Sequence, residues 1–223
     1  MPGPDPATLY PLAGHDRTVF LKPLLDRRLV ESGRPDNVAV GAYSYYDDVE
    51  DPLPFFERNI RYNHGFSGAR LTIGRYCALA SGTTFVMPDA NHAMAGATTY
   101  PFPIFGGEWA ERLSIHELPL PARADTVVGH DVWLGYESLV MPGVTIGSGA
   151  VIAARAVVTR DVPAYAVLAG NPARIVRRRY DDATVARLLA LAWWDWPPDR
   201  VAAAIPDLVH GRLDRLETLS DKA

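Results

Sequence analysis

The strongest constraint on the fold is a six-residue period that runs through the second half of the chain. An aliphatic residue opens each of six consecutive hexads: Val128, Leu134, Val140, Ile146, Ile152 and Val158. A small or aliphatic residue follows four positions after each: Val132, Ser138, Val144, Ala150, Ala156 and Val162. A helix, with its period of about 3.6 residues, does not fit this pattern. Short strands that stack coil upon coil do fit it, so the sequence predicts a mainly-β fold, a β-helix.

The same six-residue pattern is present earlier in the chain. Further hexads begin at Val40, Ile73 and Leu79, so the predicted coils extend toward the N-terminus. A β-sandwich of short strands is the alternative, but its strands need no constant period of six.

The hexads are interrupted between about residues 87 and 126. This excursion contains a group of large apolar side chains: Tyr100, Phe102, Ile104, Phe105 and Trp109. Such a segment is too aromatic for disorder, and long excursions of this kind are often functional. We expect it to project from the coils and to pack against a neighbouring subunit.

After Val176 the pattern becomes helical. Residues 181–196 carry four apolar residues on one helical face: Val185, Leu188, Leu189 and Ala192. A segment opened by proline at 197–209 predicts a second short helix. We expect residues 1–179 to form the β-helix domain and residues 180–223 to form a helical cap over the open edge of the last coil.

Charge and composition exclude several classes of function. The 223 residues carry a formal net charge of -4, which gives no reason to expect DNA or RNA as a partner. Cys77 is the only cysteine, which excludes an internal disulfide framework and a multi-thiolate metal site. No signal peptide and no apolar run of membrane-spanning length is visible. We therefore expect a cytoplasmic protein with no membrane partner.

Motifs spread over nearly the whole chain carry a family resemblance. They are GPDP at 3–6, FLKP at 20–23, GAYSYYDD at 41–48, IGRYCALASGTTFVM at 73–87, NHAMAGATTYPF at 91–102, DTVVGHDVWLG at 125–135, VMPGVTIGSGAVIAARAVV at 140–158, YAVLAGNPAR at 165–174 and LAWWDWP at 191–197. Together they resemble the xenobiotic acetyltransferases of the hexapeptide-repeat superfamily, and the streptogramin A acetyltransferases more than the type B chloramphenicol acetyltransferases. The resemblance implies a left-handed parallel β-helix, with acetyl-CoA as cosubstrate. It also implies a homotrimer with active sites between subunits.

Acetyl transfer to a hydroxyl requires a base, for which histidine is suited. His92 begins the excursion, where a loop histidine bonded to local backbone is an equally natural interpretation; the match to the family motif implies that it is the catalytic base. His116 and His130 are expected at the surface, and the histidine spacing does not favour a three-histidine zinc site, so no metal is expected. Cys77 occupies a small-residue hexad position and is expected in the core, which favours direct transfer without an acyl-enzyme.

The acceptor pocket is also implied by the resemblance. Tyr45 matches a family tyrosine that contacts the antibiotic, although an aromatic residue of the first coil is the structural alternative. Four residues of the excursion are expected to wall the same pocket: Tyr100, Pro101, Phe102 and Phe105. His64 stands on the acceptor side where family members carry Tyr, and residues 49–60 are longer than the family pattern. Both departures bear on acceptor specificity.

The resemblance places acetyl-CoA in a groove between neighbouring β-helices. The residues assigned to it are Trp133, Gly135, Ala153, Ala154, Gly170, Asn171, Pro172, Arg174 and Arg177. Small residues let a thin pantetheine chain approach the backbone, although tight-turn geometry explains them equally. Basic side chains at 174 and 177–179 suit phosphates, although a solvated charge run is the alternative.

Three functions stay open. The first is an O-acetyltransferase that acts on a xenobiotic hydroxyl, with streptogramin A as the leading acceptor. The second is the same chemistry on a sugar, a polysaccharide or another endogenous acceptor. The third is a non-catalytic β-helix scaffold, which the combination of the NH loop, Trp133 and the GNPA turn disfavours.

Overall fold

The computed structural model describes residues 3–9, 14–32, 37–120 and 124–220. The strands between residues 38 and 169 form a three-faced left-handed parallel β-helix, as predicted. Face 1 contains β1 (Thr18–Phe20), β3 (Tyr45–Asp47), β6 (Ala78–Leu79), β9 (Trp133–Leu134), β12 (Val151–Ile152), β14 (Ala166–Ala169) and β15 (Arg174–Arg178). Face 2 contains β4 (Ile60–Arg61), β7 (Thr84–Val86), β10 (Leu139–Val140) and β13 (Val157–Val158). Face 3 contains β2 (Val38–Val40), β5 (Leu71–Ile73), β8 (Thr126–Val128) and β11 (Thr145–Ile146).

The register of the strands explains the six-residue period. Val127 pairs with Thr145, and Leu139 pairs with Val157, each 18 positions further along the chain. Three hexads therefore make one coil with three faces. Every one of the twelve inward residues predicted from the hexads is buried, with at most 4% of its surface exposed. This confirms the predicted core.

Two interruptions of the register locate the insertions. Ile73 pairs with Val128, 55 positions away instead of 18, so 37 residues are inserted between faces 2 and 3. This excursion contains α3 (Gly107–Arg112) and three short 3-10 turns; its residues 121–123 lie outside the described part of the chain. One coil earlier, Val40 pairs with Ile73 at a separation of 33, so 15 residues are inserted. These insertions form α2 (Phe55–Arg58) with its flanks and the loop of residues 62–70.

An N-terminal helix covers the first coil. α1 (Leu21–Ser32) buries Leu21, Leu24 and Leu25 in the same core as the coil residues. This helix was not predicted from the sequence, because its mean hydropathy is low and only one short stripe is apolar.

The C-terminal helices lie beside the coils. They are α4 (Asp182–Leu191), α5 (Pro198–Val209) and a third helix that was not predicted, α6 (Leu213–Ser220). The Trp193 ring lies 4.8 Å from Tyr76, and Trp194 stacks on His130 at 5.2 Å, so the helices pack along the corner between faces 3 and 1. On face 1 it is β15 that pairs, antiparallel, with the last coil strand. The helices therefore lie beside the coils and not over the open edge of the last coil, where a helical cap was expected. Residues 221–223, the end of the expected cap, lie outside the described residues.

Three individual expectations can be compared with the structure. Cys77 is fully buried, and burial raises the pKa of its thiol to about 11, so its predicted place in the core is confirmed. His130 is half-buried: its ring stacks on Trp194, and its Nδ1 accepts a hydrogen bond from the Arg75 backbone N–H at 3.0 Å. It is therefore a packed residue and not the surface residue that was expected. Leu189 is 40% exposed, whereas Leu191 is buried, so the packed face of α4 contains Leu191 in place of the predicted Leu189.

Within the described ranges, no helix is long and apolar enough to cross a bilayer.

Candidate active site

The three faces give the β-helix the shape of a three-sided prism. In two successive coils a long loop replaces the tight turn at the same corner of this prism, and a cleft lies between the two loops. The loop of residues 62–70 and the excursion both connect face 2 to face 3. The cleft between them has a volume of about 310 Å³, at the lower end of the range for small-molecule sites. It is lined by Tyr62, Phe66, Asp89, Asn91, His92, Pro101, Ile104, Ile115, Leu118 and Leu120.

His92 lies in this cleft with a defined ring orientation. Its Nδ1 is 2.8 Å from the carbonyl oxygen of Thr99. A carbonyl oxygen can only accept, so Nδ1 must carry the proton of the neutral ring. Nε2 therefore keeps its lone pair and can take a proton from a bound molecule. The same hydrogen bond closes the loop from His92 to Thr99, which holds the ring in place.

The predicted acceptor residues fall into separate groups. Pro101 lines the cleft together with His92. Tyr100, Phe102 and Phe105 form an aromatic cluster with Trp109, with ring centroids 4.8 to 6.2 Å apart. Each of these four rings is at least 41% exposed, so the aromatic cluster is a large apolar surface beside the cleft.

His64 and Tyr45 do not line the cleft. The His64 ring stacks on Phe66 with 6.1 Å between centroids, so His64 contacts a cleft residue without lining the cleft itself. Tyr45 lies on face 1, where it pairs with Ala78 and is 36% exposed. Within one chain, Tyr45 and His92 are therefore on different sides of the prism.

Sequence reasoning missed most of the cleft wall: of the ten lining residues, only His92 and Pro101 were assigned to the site. Tyr62 and Phe66 come from the loop of residues 62–70, and Ile115, Leu118 and Leu120 come from the end of the excursion. Tyr62 has a φ of 56° and remains 56% exposed. The available signal was the interruption of the hexads between Ile60 and Leu71, at the same corner as the excursion.

Outward side chains of face 1 form a continuous row across the coils. Strand pairing aligns six of them, which we call the face 1 row: Tyr45, Ala78, Trp133, Val151, Val167 and Arg177. Trp133 is 55% exposed at its centre. The row thus offers an aromatic ring followed by two aliphatic residues and a cation.

The basic cluster divides into two pairs. A register shift in the pairing of β14 with β15 aligns Arg174 with Ala169 and Arg177 with Val167. Both partners point outward, so this bulge brings the two guanidinium groups to the outer side of face 1. In contrast, Arg178 pairs with Asp182. Arg179 donates to the Gly149 carbonyl at 2.6 Å, and in the described part of the chain neither Arg174 nor Arg177 has a carboxylate partner.

The small residues assigned to the cosubstrate have different structural settings. A Cβ on Gly135 would lie 2.7 Å from the Ala154 backbone nitrogen, so this glycine is required by the stacking of coils. Ala153 and Ala154 lie on the same corner and are partly exposed. Gly170 has a φ of 95° and opens the exposed turn that contains the cis peptide between Asn171 and Pro172.

Among the described residues, no three or more His, Cys, Asp or Glu side chains are grouped so that they could hold a metal ion.

Comparison with known proteins agrees with this architecture. The family model for the bacterial transferase hexapeptide (six repeats) matches residues 125–160, which defines the class of the fold. A probable macrolide acetyltransferase from Lysinibacillus sphaericus is 41% identical over 79% of this chain and 91% of its own length. A chloramphenicol acetyltransferase from Agrobacterium fabrum is 41% identical over 88% of this chain and 94% of its own. A virginiamycin A acetyltransferase from Staphylococcus aureus is 38% identical over 96% and 93%.

Identities of this size over almost the full length of the relatives establish more than a shared fold. The chain belongs to the xenobiotic acetyltransferases of the hexapeptide-repeat superfamily, and it is an acetyltransferase.

Proposed function

We propose that the protein transfers acetyl from acetyl-CoA directly to a hydroxyl group of a streptogramin A antibiotic, with His92 as general base. The observation that carries the proposal is the hydrogen bond from His92 Nδ1 to the Thr99 carbonyl, which leaves Nε2 basic in a cleft walled mainly by apolar and aromatic residues.

The reaction needs one proton acceptor and one leaving group. Nε2 of His92 takes the hydroxyl proton as the hydroxyl oxygen attacks the thioester carbonyl. Collapse of the tetrahedral intermediate breaks the C–S bond, and the imidazolium returns the proton to the departing CoA sulfur. The buried Cys77, with its raised pKa, supports transfer without an acyl-enzyme.

Acetyl-CoA fits the outer side of face 1. The face 1 row offers Trp133 and aliphatic contacts along its length, and Arg174 and Arg177 lie at its end on the same side. Two cations that have no carboxylate partner among the described residues suit the phosphates of CoA. The exposed turn at Gly170, Asn171 and Pro172 immediately precedes them in the chain. Ala153 and Ala154 lie at the corner after β12, where the Ala153 N–H donates to the Leu168 carbonyl of the last coil.

The geometry of the prism supports a homotrimer. The corner that bears His92 lies between faces 2 and 3, opposite face 1, so one chain holds its base and its face 1 row on different sides. A neighbouring subunit that places its face 1 against this corner brings the two together, and Tyr45 comes with the row. The exposed aromatic cluster of Tyr100, Phe102, Phe105 and Trp109 provides an apolar surface for that contact.

The relatives suggest which acceptors to compare. The virginiamycin A acetyltransferase aligns over nearly the whole chain, which favours a streptogramin A. Chloramphenicol is the second candidate, because a relative of that name reaches 41% identity. A sugar or another endogenous acceptor is the remaining alternative for the same chemistry, and a scaffold role is the non-catalytic one.

The test is thiol release from acetyl-CoA by the purified protein with virginiamycin M, chloramphenicol or a panel of sugars. We expect release with virginiamycin M, its loss in His92→Ala, and its retention in His116→Gln, a matched control at another exposed histidine of the excursion. Release only with another acceptor would contradict the streptogramin assignment. A protein that does not bind acetyl-CoA would instead favour the scaffold.

A further inference from the structure

Asp89 connects the two loops that form the cleft. It lies in the 3-10 turn Pro88–Ala90, where the excursion begins, and it lines the cleft near His92. Its Oδ2 accepts hydrogen bonds from the backbone N–H groups of His64 at 2.8 Å and Gly65 at 2.7 Å. Its Oδ1 accepts a third from the Ser67 N–H at 2.9 Å. One carboxylate therefore binds three amides of the facing loop.

Two further side-chain contacts hold the loop near its ends. Asn63 exchanges side-chain hydrogen bonds of 2.6 and 2.8 Å with Asn37, and the Arg70 N–H donates to Asp125 at 2.8 Å. Neither of these contacts reaches the middle of the loop, where Phe66 enters the cleft wall. Bonds from backbone amides to a carboxylate are charge-assisted and stronger than neutral ones.

We propose that Asp89 is a positioning residue for the acceptor: it fixes residues 64–67, so that Phe66 takes its place beside Tyr62 in the cleft wall that also contains His92. The inference rests on the proposed acetyl transfer. Asp89 acts through the loop and takes no part in proton transfer. Its loss should therefore weaken acceptor binding while leaving binding of acetyl-CoA on face 1 unchanged.

The experiment compares Asp89→Ala and Asp89→Asn with the matched control Asp125→Ala, which also removes a carboxylate bonded to this loop but lies outside the cleft. The acceptor KM should rise about tenfold or more in Asp89→Ala. It should rise less in Asp89→Asn, because an amide keeps one accepting oxygen. The KM for acetyl-CoA should stay within about twofold in all three, and the acceptor KM of Asp125→Ala should stay within about twofold of the wild type.

A second readout separates this role from general destabilisation. Amide hydrogen exchange at His64, Gly65 and Ser67 should accelerate in Asp89→Ala at an unchanged melting temperature, and should not accelerate in Asp125→Ala. An unchanged acceptor KM would overturn the proposal, as would a joint change of both KM values with the melting temperature. If no acceptor is turned over by the wild type, the proposed function fails by itself, and the exchange rates alone decide whether Asp89 orders the loop.

Discussion

The coil stack and the corner that bears the cleft are built on different principles. In the coil stack a buried residue has an equivalent 18 positions away, as Leu134 has in Ile152. At the corner, each important contact occurs once: the His92 ring meets the Thr99 carbonyl, and Asp89 meets the backbone of a loop some 25 residues earlier. The fold is thus specified many times over, whereas the site depends on single contacts.

The largest expected effect separates the corner from the stack. His92→Ala should lower kcat by about two to four orders of magnitude, the usual contribution of a general base. The melting temperature should be unchanged because His92 is exposed. Steady-state kinetics and calorimetry on the same sample measure both, and activity close to that of the wild type would exclude His92 as the base.

Two glycine substitutions make the converse comparison. A Cβ on Gly74 would lie 2.2 Å from the Gly129 carbonyl oxygen of the next coil, whereas a Cβ on Gly96 in the excursion has no neighbour closer than 3.8 Å. Gly74→Ala should reduce the free energy of unfolding by about 3 kcal/mol or more. Gly96→Ala should change it by less than about 0.5 kcal/mol. Equal chemical denaturation midpoints for the two variants would contradict the distinction between stack and corner.

A smaller effect concerns the two guanidinium groups on face 1. If CoA lies on face 1 as proposed, Arg174→Ala combined with Arg177→Ala should raise the KM for acetyl-CoA about tenfold, because the variant would lack two charge-assisted contacts to phosphate. The control Arg178→Ala removes an arginine that is already paired with Asp182 and should leave this KM within about twofold. A similar rise of this KM in Arg178→Ala would indicate that the lower positive charge of the surface, and not the loss of two particular contacts, causes the effect.

The smallest effect is a pH dependence at the corner between faces 3 and 1. Burial raises the pKa of Asp131 to about 6, although Arg179 opposes the shift. The folded state therefore holds this proton more tightly than the unfolded state, so Asp131 should reduce stability as pH rises from about 4 to about 6. With 35% of the side chain exposed, screening should limit the effect to about 1 kcal/mol. Urea unfolding across this range should show the decrease, and Asp131→Asn should remove it; a parallel decrease in both proteins would assign it to other groups.

The same contrast explains what the sequence could predict. The core residues follow from the hexads because each position repeats, so a single exception such as Ser138 does not hide the pattern. The cleft residues Tyr62 and Phe66 have no repeat, and their place opposite His92 arises from contacts between separate insertions. His92 itself was predicted through the family motif. The packing of the C-terminal helices was missed because it depends on distant aromatic contacts, such as Trp193 with Tyr76.

The register of the coils also has a consequence for how such a protein can change. The excursion and the loop of residues 62–70 both leave face 2 and return on face 3, with strand pairing restored on either side. Segments of unequal length can therefore be inserted at this corner without altering the alignment of the buried residues. Here one coil has 37 inserted residues, and the coil before it has a shorter loop. A change in the length or sequence of either segment can therefore alter the shape of the cleft while the buried residues of the coils keep their register.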